Sequence, residues 1–155
     1  MKILVVYYSS TGNTRKIAEE VAYALECDIE EIIDMDDISG DEIKHYETDD
    51  ISQKPTTIKE TKNDPSDFDL LIIGTPIWNT TMSAPIKTYI TQNQGRFNKV
   101  AFFCTAMGIY FDGTFMAMKE LSGETPIATL GVRAREIVNK TYKSKIKEFI
   151  KKIQK

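Results

Sequence analysis

The chain is poor in the residues on which many small chemical sites depend: its 155 residues include one histidine, one tryptophan and two cysteines. His45 stands in a polar stretch with no second ligand type at a metal-binding spacing, so no metal site is expected. Cys27 and Cys104 are distant in sequence and form no Cys-x-x-Cys pair, and Cys104 lies in an apolar run where a cysteine serves as a small buried hydrophobe. Neither thiol reads as a redox centre. Concentrated positive charge is also missing. With 20 Lys and Arg against 23 Asp and Glu the net charge is −3, which argues against nucleic acid as a partner. The one basic stretch, from Lys140 to Lys152, alternates lysines with Ile146, Phe149 and Ile150 and reads as the solvated side of an amphipathic helix. No apolar run approaches the ~20 residues of a membrane span, and the opening one gives way directly to polar residues, so a cytoplasmic protein without membrane contact is expected. Two nucleotide signatures are absent as well: the Gly-Lys-Ser/Thr ending of a P-loop and the Gly-x-Gly-x-x-Gly of a dinucleotide fold.

What is present is a hydroxyl-rich loop between a strand and a helix. Ser9, Ser10, Thr11, Gly12, Asn13 and Thr14 separate the apolar run Ile3 to Tyr8 from the amphipathic segment Thr14 to Leu25. Such a loop faces a helix N-terminus, where unpaired N–H groups and the positive end of the macrodipole favour an anion. Four hydroxyls add donors, and Gly12 and Asn13 tolerate the positive φ that curls amides inward. Serine, threonine and glycine are also ordinary capping residues, so the loop needs partners elsewhere before it reads as a site. It contains no Lys or Arg, so an anion held here is held by oriented dipoles.

Strands and helices alternate along the rest of the chain. Asp28 to Ile33 reads as a charged edge strand. Leu70 to Gly74 and Val100 to Cys104 are unbroken apolar runs, as in strands covered on both faces. Ile127 to Val132 reads as a last strand, with Pro126 marking an edge. Helices are expected over Ala84 to Thr91, Thr114 to Leu121 and about Thr141 to Ile153, while 34–67 reads as a partly irregular crossover. This pattern implies one domain spanning 1–155, an α/β doubly wound sheet of five parallel strands with helices on both faces. Ligands of such sheets bind beyond the carboxyl ends of the strands, where the chain direction reverses. The segments that follow strands three and four, 74–80 and 105–111, contain Trp78 and the pair Tyr110 and Phe111. A planar ring clamped between aromatic side chains, its phosphate tail at residues 9–14, is the ligand they suggest.

In these residues the chain resembles the flavodoxin family, in its short-chain form, over nearly the whole length. Ser9 to Thr14 is similar to the family's FMN-phosphate loop, and Gly74-Thr75-Pro76-Ile77-Trp78 to its first flavin-stacking loop. The resemblance implies the strand order 2-1-3-4-5 and noncovalently bound FMN. It implies cofactor contacts at Thr75, Pro76, Ile77, Trp78, Asn79 and Thr80, at Thr105, Ala106, Met107 and Gly108, and a second stacking aromatic at Tyr110, with Phe111 as the alternative. Two departures stand out. Asn79 occupies a position where the family usually has Gly, whose carbonyl accepts a hydrogen bond from the reduced ring, and the segment after strand four lacks the Asp that many relatives carry near the pyrimidine edge. The function implied is a low-potential one-electron carrier, a monomer, exchanging electrons with redox proteins by transient contact. Each charge of a phosphate dianion without a counter-charge opposes a further negative charge on the ring by roughly 1.7 kcal/mol, at an effective dielectric of ~20 and ~10 Å. Acids such as Asp36, Asp37, Asp41 and Glu42 are candidates for steering basic partners. A small FMN-dependent oxidoreductase, of the NAD(P)H-quinone reductase or protoporphyrinogen oxidase type, is the alternative, and a flavin-binding module without electron transfer is a third reading.

Overall fold

The computed structural model describes residues 1–36, 56–108 and 111–155. His45, Asp37, Asp41, Glu42, Tyr110 and most of the expected crossover lie outside them. Five parallel strands form the sheet: β1 (Ile3–Tyr7), β2 (Asp28–Glu31), β3 (Leu70–Trp78), β5 (Lys99–Ala106) and β6 (Thr129–Arg133). A two-residue strand, β4 (Thr81–Met82), folds back antiparallel on the end of β3. The order β2-β1-β3-β5-β6 is the expected five-strand order with β4 set aside.

Alternation along each strand sends side chains to two cores. Val5, Tyr7, Leu70, Ile72, Ala101, Phe103, Leu130 and Val132 pack beneath helices α1 (Asn13–Leu25) and α5 (Tyr142–Gln154). Leu4, Val6, Leu71, Ile73, Val100, Phe102 and Cys104 pack on the opposite side, beneath α2 (Ala84–Gln92) and α3 (Phe111–Ser122). Both faces are therefore covered, which is why β1, β3 and β5 carry continuous apolar runs. The right-handed crossovers that parallel pairing requires place these helices. Among the described residues no helix is long and apolar enough to cross a membrane.

The structure corrects several boundaries. β3 continues past Gly74 to Trp78 and turns through Asn79 and Thr80 into β4, so Thr75 to Trp78 are strand rather than loop. β5 runs to Ala106, which makes Thr105 and Ala106 strand residues as well. Helix α3 begins at Phe111 instead of Thr114. A short helix, α4 (Ala134–Val138), follows β6 where none was expected. At the near end of the crossover, Met35 N–H donates to Thr57 O (2.8 Å) and Lys59 N–H to Ile33 O (2.9 Å), so its two flanks pair with each other.

Candidate functional site

Parallel register brings three carboxyl ends together. Tyr7 pairs with Gly74, Pro76 with Thr105 and Ala106 with Arg133, so the segments after β1, β3 and β5 share one edge of the sheet. The strand order reverses between β1 and β3, since β2 is added on one side of β1 and β3 on the other, and a ligand site is expected beyond that point.

The first of these segments is built around the start of α1. Gly12 takes φ 100°, a left-handed conformation that favours glycine, and its N–H donates to Ser9 Oγ at 3.1 Å. Among the described residues no side chain caps the helix, and its first backbone bond is Lys16 N–H to Gly12 O at 3.0 Å. The amides of Asn13, Thr14 and Arg15 thus precede the hydrogen-bonded ladder and carry the positive end of the dipole. Ser10 and Thr11 are exposed, while Ser9 and Asn13 are half-buried. Thr14 is buried, and its hydroxyl stands 2.8 Å from that of Thr105, which ties the loop to β5. A hydroxyl pair uses one proton between its members and leaves one for a third acceptor.

No cationic side chain of this loop completes the site. Arg15 reaches away to Glu31 on β2 (2.5 Å) and to the Tyr7 hydroxyl (3.4 Å). Burial holds the Tyr7 phenol above its ordinary pKa, against the Arg15 contact, which lowers it. The hydroxyls and amides of residues 9–14 are neutral donors.

The end of β3 divides its residues between fold and site. Thr75 is fully buried; its hydroxyl lies 2.8 Å from Pro76 O, 2.9 Å from Ser83 Oγ and 3.0 Å from Ser83 N. Its side chain is committed to fastening the β3–β4 hairpin to the start of α2. Pro76 and Ile77 are half-buried. Trp78, 7% exposed, packs edge-on against Tyr8 with centroids 5.5 Å apart and an interplanar angle of 86°. Ala84 flanks the same pair. Asn79 and Thr80 are exposed and both take positive φ, 47° and 68°. Positive φ at both central residues is the twist-matched geometry of a tight hairpin. Thr80 is further held by α3, whose buried Thr114 hydroxyl donates to its carbonyl at 3.4 Å.

At the end of β5, Thr105 is buried, Ala106 and Gly108 are half-buried, and Met107 is 87% exposed. Phe111, one of the two candidates for a second ring-covering aromatic, is taken into the fold. It packs with Phe115 (6.5 Å, 22°) and lies on Gly131, where a Cβ would stand 2.6 Å from its ring. Tyr8, Ser83 and Thr114 join the site's surroundings without having been expected. For Tyr8 a signal existed, since an aromatic directly precedes the hydroxyl loop; Ser83 and Thr114 act through contacts distant in sequence. Among the described residues no group of three His, Cys, Asp or Glu side chains could hold a metal.

A phosphate monoester attached to a flat ring fits this donor set: neutral hydroxyls and helix-end amides at one side, indole, phenol and thioether at the other, and open space beside Gly12 where a side chain would intrude. Comparison with known proteins agrees. Curated protein sequences offer no match. Among solved structures, the chain is similar to a flavoprotein from Lactobacillus acidophilus NCFM in complex with FMN (27% identity, TM-score 0.73, 90% of this chain and 97% of that one). It shares its fold with a flavodoxin from the domain Archaea (16%, 0.55, all of both chains). The same holds for the apo form of an NADH:FMN oxidoreductase (14%, 0.57, 96% and 88%). The expectation of FMN is in keeping with these relatives, and a family model of NADPH-dependent FMN reductases matches residues 1–123. By that match the chain belongs to the NADPH-dependent FMN reductase family, on a flavodoxin-like fold.

Proposed function

We propose that this protein holds FMN noncovalently, phosphate at residues 9–14 and ring at the ends of β3 and β5, and works as a low-potential one-electron carrier between protein partners. The observation that carries the reading is the uncapped start of α1 behind Gly12, with the neighbouring guanidinium of Arg15 turned away to Glu31. Ser9, Ser10 and Thr11 offer hydroxyls, Asn13 to Arg15 offer amides, and the Thr14–Thr105 pair offers its remaining proton. Because none of these is a cation, the site opposes any further negative charge near the phosphate, which lowers the potential. Trp78, Tyr8 and Met107 supply apolar surface that excludes water. With Phe111 engaged on Gly131, Tyr110 is the aromatic assigned to the second face. FMN supplies the reversible uptake and release of electrons, singly or in pairs. Partners meet the exposed sheet edge in transient contacts.

The family match favours a second reading, reduction of bound flavin by NADPH. Arg133, in register with Ala106 and 3.7 Å from Glu136, is the cation at the same sheet edge that this reading would release from Glu136 for a phosphorylated dinucleotide. Anaerobic mixing of the FMN-loaded protein with NADPH separates the two. A carrier keeps its oxidised absorbance with NADPH and is reduced by dithionite in two resolved one-electron steps. Rapid bleaching by stoichiometric NADPH overturns the carrier reading in favour of the reductase.

A further inference from the structure

Charge is sorted along this chain. Residues 133–155 hold nine Lys and Arg against two acids, a net +7, whereas residues 1–132 hold 11 against 21, a net −10. Arg133 ends β6 in register with Ala106, so the basic segment begins at the sheet edge assigned to the flavin, one strand beyond Thr105. Its first half stays at that edge. Helix α4 and a turn in which Asn139 Oδ1 accepts from Thr141 N–H (3.0 Å) lead directly to the start of α5. Lys140, inside that turn, takes φ 66°, a left-handed conformation unusual for a long side chain. Both acids are answered within the segment: Glu136 by Lys145 (2.9 Å) and Arg133 (3.7 Å), Glu148 by Lys151 (3.9 Å). Arg135, Lys140 and Lys143 are exposed and form no ion pair among the described residues. Two apolar side chains accompany them: Val138, 83% exposed, and Met107, 87% exposed directly after Ala106.

We infer that this rim, apolar at Met107 and Val138 and basic at Arg135, Lys140 and Lys143, docks an acidic one-electron protein beside the flavin. The inference rests on the carrier reading above and gives the partner a sign of charge. A small apolar centre ringed by exposed charge suits a transient contact, because the charges steer the encounter and the centre seats it. The net charge of −3 would turn such a partner away at long range. Within a Debye length, about 8 Å at physiological salt, the cations nearest the ring decide instead. Asp36, a candidate for steering basic partners, is engaged elsewhere, accepting from the Thr56 hydroxyl (2.6 Å) and Thr57 N–H (3.1 Å). Two other anionic surfaces fit this segment less well. A membrane would take up the apolar face of α5, but Ile146, Phe149 and Ile153 are buried in the core. Single-stranded nucleic acid would stack on exposed aromatics, and the two in this segment, Tyr142 and Phe149, are buried. In the docked pair one electron leaves reduced FMN and enters the partner's oxidised centre.

The test offers the FMN-loaded protein two haem proteins of opposite charge, acidic cytochrome b5 and basic cytochrome c. A rim variant combines Arg135→Gln, Lys140→Gln and Lys143→Gln; a control combines Lys151→Gln, Lys152→Gln and Lys155→Gln. Both remove three exposed charges, so they differ only in place. Helix α5 runs back beside β6, Lys145 Nζ donating to Gly131 O (3.1 Å), which sets Lys151 ~12 Å further from the edge than Lys143. Amide shifts of the oxidised protein locate the contact and give its Kd, and stopped-flow mixing of the reduced protein with ferric haem gives the rate of electron passage. Cytochrome b5 is expected to shift Met107 and residues 133–143, more weakly as salt rises. The rim variant should weaken its binding and slow haem reduction about tenfold, the control less than about twofold. Preference for cytochrome c, equal losses in both variants, or shifts confined to other surfaces overturns the inference. So does co-sedimentation with phosphatidylserine vesicles in the absence of cytochrome b5 binding, which would assign the rim to a membrane. A parent chain that takes up no FMN, or that docks cytochrome b5 at the rim and leaves its haem ferric, defeats the carrier reading instead, and the amide shifts still decide the rim.

Discussion

Thr14 and Thr105 are 91 residues apart in sequence, yet their hydroxyls meet at 2.8 Å inside the protein. That single contact ties the loop of residues 9–14 to β5. Thr14→Val keeps the shape and removes the bond, and it is expected to weaken FMN binding roughly five- to tenfold, the net worth of about one hydrogen bond. Riboflavin, which lacks the phosphate, should lose less; equal losses for both ligands contradict a phosphate contact. A second residue tests the core rather than the site. The Tyr89 hydroxyl is buried without a hydrogen-bond partner among the described residues, and burial pushes its pKa up. Removing an unsatisfied buried hydroxyl recovers its desolvation cost, so Tyr89→Phe should leave stability to urea unchanged or raise it by up to ~1 kcal/mol. A clear loss would show that the hydroxyl has a partner. At this scale Ser9 to Thr14 could be read from sequence because hydroxyls and glycine ahead of a helix have a local meaning. The edge-on packing of Tyr8 on Trp78 could not, since it depends on β1 lying beside β3.

At the scale of elements, the β3–β4 hairpin was hidden because Pro76 interrupts the strand pattern and its turn has no glycine. The expected strands were the runs buried on both faces, where continuous apolar sequence is forced by the helices above and below. Helix α4 was hidden for a different reason: its five residues bury little, and polar contacts hold it. Glu136 accepts from the Arg133 backbone N–H (2.8 Å) and from Lys145 Nζ (2.9 Å to Oε2). Burial alone would raise its pKa, but the Arg133 N–H, the Lys145 ammonium and the Arg133 guanidinium outweigh it and hold the carboxyl below its ordinary value. With a folded pKa under the unfolded value of about 4.3, Glu136 stabilises the protein above that pH and loses its contribution as pH falls through the folded value. Glu136→Gln should therefore lose less stability than the parent on acidification below about pH 4.3, as read by urea unfolding at stepped pH. Identical losses would contradict the assigned contacts. Phe111 provides another check on element packing. Gly131→Ala puts a methyl group 2.6 Å from its ring and is expected to destabilise the protein by about 1–3 kcal/mol; an unchanged urea midpoint would mean that the ring moves freely.

Across the whole molecule, the strand order gathers the ends of β1, β3 and β5 on one edge, and that edge holds the neutral donors and the aromatic side chains. Strand order followed from the family resemblance rather than from periodicity, which specifies strands and helices but not which strands are neighbours. Charge distribution is the feature that links sequence to proposed chemistry at this scale. A loop without Lys or Arg is met, in three dimensions, by an Arg15 paired with Glu31. The proposal of an anion held by dipoles, and with it the low potential proposed for the flavin, depends on both facts.

The most direct test is the crystal structure of the FMN complex. The account predicts phosphate oxygens within hydrogen-bonding distance of the backbone amides at the start of α1 and the hydroxyls of residues 9–14, with no Lys or Arg nitrogen within about 4 Å. A phosphate bound elsewhere, or one gripped by Arg15 released from Glu31, would contradict it.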